Sequence, residues 1–137
     1  MAETIVDTAP EIPTAPATST IVVGYSSKPE GRAALQRAVT EAKLRGSSLI
    51  VVHTSSSEEL DDLSTELAGS GVPYEIQATS DALDPAEELI AAASTSAAEF
   101  IVIGLRKRSP VGKLLLGSNA QRVLLDAACP VLAVKPS

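Results

Sequence analysis

An α/β fold, a parallel sheet with helices on both faces, is what this sequence predicts, and three observations carry that prediction. Short β-branched apolar runs alternate with segments whose apolar residues recur at helical spacing. The apolar content is aliphatic, since 45% of residues are hydrophobic but only two are Tyr, one is Phe and none is Trp. That composition suits small-residue helices packed on a sheet buried on both faces. With 137 residues the chain has the size of one domain with its own core.

The elements follow in order. Residues 1–18 include three of the nine prolines and show no sustained apolar period, so they are expected to be a disordered tail ahead of one domain over 19–137. "TIVVGY" (20–25) reads as a strand buried on both faces. In "EGRAALQRAVTEAKLRG", Ala34, Leu35, Ala38, Val39 and Ala42 recur at helical spacing and Gly46 supplies the C-cap. "SLIVVHT" (48–54) is a second buried strand. "SSEELDDLSTELAGSG" is an acidic helix capped by Ser56 or Ser57 and stopped by Gly69 or Gly71. "PYEIQAT" (73–79) alternates apolar and polar residues, as on a half-exposed edge strand.

Asp84, Pro85 and Glu87 form a helix start: an Asp N-cap, Pro at the first position and Glu reaching back from the third. That helix should run to about residue 98. "FIVIGL" (100–105) is a fourth, buried strand. A last helix over 118–128 turns Val123, Leu124 and Ala127 inward, and "PVLAV" (130–134) is a fifth strand. Alternation of this kind implies right-handed crossovers and a parallel sheet.

Composition also excludes function classes. A net charge of −6 and few aromatic rings argue against a nucleic-acid partner. One cysteine makes neither an internal disulfide nor a thiolate zinc site, which fits a reducing cytoplasm. The first twenty residues lack the charge and apolar run of a secretory signal, and no later run is long enough to span a bilayer, so no membrane role is expected.

The segment "GLRKRSPVGKLLLGSNAQ" (104–121) gathers four of the eleven basic residues and three of the eight glycines of an acidic chain. In open parallel sheets the ligand crevice lies beyond the carboxyl ends of the strands, where strand order reverses. The first and fourth strands are the natural neighbours there, and Gly24 and Gly104 stand at their ends, where a ligand can approach the backbone closely. Gly117 and Ser118 open the final helix, whose free N–H groups and positive dipole end suit a phosphate. The segment is not a Walker A loop, because Lys107 and Leu114 stand where that pattern needs Gly and Ser or Thr. Nor does "GYSSKPEG" carry the glycine spacing of a dinucleotide fingerprint. A plain solvated basic loop accounts for the charge equally well.

At "TIVVGYSSKPEGRAAL" and "DPAEELIAAASTSAAEFIVIGLRKRSPVGKLLLGSNAQRVLLDAACPVLAV" the sequence resembles the bacterial universal stress proteins, over roughly residues 19–136. The resemblance implies a three-layer, adenine nucleotide alpha hydrolase-like fold with strand order 3-2-1-4-5, and a cytoplasmic stress-response homodimer whose fifth strands (about 130–135) meet across a two-fold axis. An edge strand that needs cover agrees with this. Nucleotide-binding members carry Gly, two residues, Gly, nine residues, then Gly with Ser or Thr. Gly104, Gly117 and Ser118 match that motif with its spacing intact, and Lys107 replaces the second glycine. Ser26 stands where the family usually has an Asp that contributes to adenosine binding.

The site expected on this basis has Gly104, Lys107, Gly112, Gly117, Ser118 and Asn119 holding phosphate, with Gly24, Tyr25, Ser26 and Thr54 near the base and ribose of ATP or AMP. The roles of Lys107 and Tyr25 come from their positions alone. Catalytic and metal-binding residues are not expected. His53 and Cys129 read as packed residues, and Glu58, Glu59, Asp61 and Asp62 as a solvated helix face. Three functions follow: a ligand-gated interaction module with a degenerate nucleotide or phosphate site and an unknown protein partner, a protein-binding dimer that has lost the ligand, and a weak ATPase.

Overall fold

A computed structural model describes residues 19–53, 57–79, 84–108 and 113–136. The expected tail, 1–18, lies outside them. The elements are β1 (Thr20–Tyr25), α1 (Pro29–Arg45), β2 (Ser48–His53), α2 (Ser57–Ala68), β3 (Tyr74–Ala78), α3 (Pro85–Ser96), β4 (Phe100–Gly104), β5 (Arg106–Arg108), β6 (Lys113–Leu115), α4 (Ser118–Asp126) and β7 (Val131–Val134). Five strands form one parallel sheet in the order β3-β2-β1-β4-β7. With β7 as the fifth strand of the sequence reading, this is the expected 3-2-1-4-5 order.

The continuous apolar runs place side chains on both faces of this sheet. From β1, Ile21, Val23 and Tyr25 enter a cluster with Leu35 of α1 and Leu63 and Leu67 of α2. Val22 enters the opposite cluster with Leu89 of α3, Ile101 of β4 and Val123 of α4. The three layers follow from this alternation. The half-polar β3 lies at one edge, as its pattern required, and β7 lies at the other.

The helix ends follow the local chemistry. Gly46 closes α1 in the left-handed region at φ 68°. Asp84 caps α3 by accepting from the Glu87 N–H at 2.8 Å. Its other oxygen accepts from Arg122 of α4 at 2.8 Å, which ties the start of α3 to α4. The Glu87 carboxylate lies 3.7 Å from Arg122, beside the Asp84 pair.

Three further departures are informative. Between β4 and α4 the chain pairs β5 with β6 as an antiparallel ribbon, where the sequence reading had only a basic loop. In α4 the inward stripe is Ala120, Val123 and Ala127, at helical spacing. Leu124 is 40% exposed and not inward as expected, because one residue beyond Val123 turns the side chain about 100° around the axis. Finally, α3 ends at Ser96, with Ala97 in the left-handed region at φ 53°. Its N–H reaches the Ala93 and Ser94 carbonyls, and Ala98 donates to Ala93 at 2.9 Å. These bonds hold a conformation that an alanine adopts only at a cost.

Ala97→Gly should therefore raise stability by about 0.5–1 kcal/mol by removing the left-handed penalty. Thermal unfolding checks this, and an unchanged or lower Tm contradicts it.

Candidate functional site

A cleft of about 290 Å³ opens beyond the carboxyl ends of β1 and β4. This is the point at which the strand order reverses, with β2 and β3 on one side of β1 and β4 and β7 on the other. Gly24 and Ser26 line it from the end of β1, Gly104 and Arg106 from the end of β4 and the start of β5, and Gly117, Ser118 and Asn119 from the start of α4. Val52, Leu89, Ile103 and Val123 form an apolar wall, and Lys28, Glu30 and Gly31 bring the first turn of α1 to the rim.

Backbone approach fixes this shape. A Cβ at Gly104 would fall on the carbonyl of Glu30, and one at Gly31 would fall on the backbone of Ser26. The first turn of α1 can therefore lie directly on the ends of β4 and β1. The sequence reading gave Gly104 and Gly24 the task of admitting a ligand. In the structure, the space where their Cβ atoms would stand is filled by Glu30 and by the Leu89 side chain at 3.1 Å.

The start of α4 suits an anion. Gly117 is the N-cap of α4, no side chain caps the helix, and its first turn holds no acidic residue. The first intrahelical bond of α4 runs from Gln121 N–H to the Gly117 carbonyl, so the N–H groups of Ser118, Asn119 and Ala120 have no acceptor within the helix. The Arg106 guanidinium lies alongside, with Nε 3.7 Å from where a Gly117 Cβ would stand. Its other neighbour is Glu30, 3.5 Å from Arg106 Nε.

Of the ten expected site residues, Gly24, Tyr25, Ser26, Gly104, Gly117, Ser118 and Asn119 are brought together at this cleft. The Tyr25 ring packs in the α1-side core, and Arg32 Nη1 donates to its Oη at 3.4 Å, so Tyr25 offers the cleft its backbone. Lys107 is the central residue of β5, opposite Leu114. Thr54 and Gly112 lie outside the described residues. The sequence reading missed Lys28, Glu30 and the apolar wall as lining residues, and did not place Arg106 in the site. A signal for Glu30 was present, because Pro29 starts a helix only four residues after the end of a central strand. The first turn must then face the crevice.

His53 is buried opposite Tyr25 in register, and burial pushes its imidazole below the usual pKa, so it is neutral at pH 7. Cys129 is half-buried against the α3–α4 cluster, which pushes its thiol up and leaves it protonated. Among the described residues no group of His, Cys, Asp and Glu is arranged to hold a metal ion, and no helix is long and apolar enough to cross a membrane.

The model of the universal stress protein family matches residues 18–83 and 73–135. This chain belongs to that family. It is similar to a universal stress protein of Mycolicibacterium smegmatis, with 46% identity over 85% of this chain and 97% of the relative. Among solved structures, the universal stress protein from Archaeoglobus fulgidus aligns at 32% identity with a TM-score of 0.67, covering 85% of this chain and 98% of that one. A structure of the universal stress protein from Archaeoglobus fulgidus in complex with dAMP aligns at 27% identity with a TM-score of 0.63, covering 87% and 99%. The family fold thus matches the order of the five strands, and the glycines of the closing motif stand where that fold brings the α1 turn and the α4 start together.

Gly104→Ala should force α1 off the end of β4 and lower stability by about 1–3 kcal/mol, the usual cost of overpacking. An unaltered Tm would show that the close approach of Glu30 does not matter.

Proposed function

We propose that this chain is a cytoplasmic stress-response homodimer that binds an adenine nucleotide and signals by changing its protein contacts, without turnover. The observation that carries the reading is the make-up of the cleft. It joins an uncapped helix start beside Arg106 to an apolar wall of Val52, Leu89 and Val123. The N–H groups of α4 and Arg106 hold the phosphate, and the apolar wall packs the base. The relative with dAMP bound supports this choice of ligand class.

Two substitutions weaken the site relative to the family pattern. Ser26 in place of Asp removes a charged hydrogen-bond acceptor, worth about ten-fold in affinity. Lys107 replaces the family's second motif glycine and, at the centre of β5, adds a side chain where the family has none. The same two residues favour the second reading, a protein-binding dimer without nucleotide. Against turnover, Glu30 is the one carboxylate among the described lining residues, and it is paired with Arg106. The single half-buried Cys129 supports the reducing compartment.

Titration calorimetry of AMP and ATP into protein freed of nucleotide tests the reading. We expect binding in the micromolar range, and Arg106→Gln should weaken it about five-fold, as for loss of a partly exposed charge contact. Silence at millimolar nucleotide contradicts it and leaves the protein-binding dimer.

The dimer surface is the free edge of β7. Ile101 and Leu105 N–H groups donate to the Pro130 and Val134 carbonyls, so the even-numbered residues bond β4, while Val131 and Ala133 turn their backbone groups outward. Ala133→Pro removes one outward N–H and spares the bonds to β4. Light scattering should then show monomers with a near-native Tm, and a persistent dimer contradicts pairing through this edge.

A further inference from the structure

We infer that Glu30 sets which phosphate chain the cleft accepts, favouring one phosphate over a di- or triphosphate; this rests on the nucleotide reading above. Glu30 occupies the second position of α1, and its backbone lies against Gly104, which places its side chain at the rim of the cleft. The side chain is 22% exposed and its Oε2 lies 3.5 Å from Arg106 Nε. Arg106 in turn lies beside Gly117, at the uncapped start of α4. An anion at that helix start therefore shares Arg106 with the Glu30 carboxylate.

Among the described lining residues the charges are Lys28 and Arg106 against Glu30. One phosphate takes the α4 N–H groups and the free side of the guanidinium. Each further phosphate adds negative charge within reach of the Glu30 carboxylate, and the cation beside the α4 start, Arg106, is already partly neutralised by that carboxylate. Glu30 also stabilises α1 as an acid in its first turn. That role would move stability and leave the ratio of nucleotide affinities unchanged.

The test measures AMP and ATP affinities, without divalent metal, for the full chain and for Glu30→Gln, at low and at high salt. The wild type should bind AMP at least as tightly as ATP. Glu30→Gln should raise the affinity for ATP relative to AMP about five-fold, and the gain should shrink at high salt. Arg106→Gln provides a second variant, which leaves Glu30 uncompensated and should weaken ATP more than AMP. An ATP preference in the wild type, or an ATP-to-AMP ratio that neither variant moves, overturns the role of Glu30 and leaves nucleotide binding standing. No binding of either nucleotide to any of the three proteins overturns both.

Discussion

The cleft depends on one close approach, the carbonyl of Glu30 lying where a side chain on Gly104 would begin. Without it the first turn of α1 could not rest on the end of β4, and Gly31 could not close on Ser26. Both contacts are between backbones, so a shift in either would move the whole start of α1. The consequence is chemical as well as steric. Lys28 and Glu30 are carried to the rim of the same crevice that the start of α4 enters from the other side.

This arrangement explains why an acidic chain concentrates basic residues after its fourth strand. At physiological salt, exposed charges are screened beyond about 8 Å, so long-range attraction from a chain of net charge −6 cannot gather an anion. Only groups in contact with the ligand help. The β5–β6 ribbon supplies such a contact by holding the first of its basic residues, Arg106, beside Gly117. Glu30 then tempers that charge, which makes the site a selector rather than a simple cation patch.

Much of this was legible in the sequence. The strands of the central sheet carry apolar runs that nothing but burial on two faces explains, and Asp84 with Pro85 marks a helix start that the structure shows in full. The closing glycines with Ser118 located the cleft. Other features rest on contacts between segments distant in sequence. Arg106 and Glu30 are separated by most of the chain, and each reads alone as a surface charge. The ribbon escaped because Arg-Lys-Arg has no apolar alternation, although Pro110 and Gly112 between two short runs were a turn signal. Ala97 escaped because its left-handed turn is set by the Ala93 and Ser94 carbonyls and not by its own type. Leu124 was assigned to the core by hydrophobicity, when the register of α4 depends on where α3 lies.

In the proposed complex, the backbone at the start of α4, together with the end of β4, receives the phosphate of an adenine nucleotide. Following the amide resonances of Gly104, Gly117, Ser118 and Asn119 in a ¹⁵N-labelled sample during an AMP titration tests it most directly. These amides should shift together and saturably, with the α2 and β3 amides unmoved. Saturable shifts confined to other elements, or none at all, would contradict it.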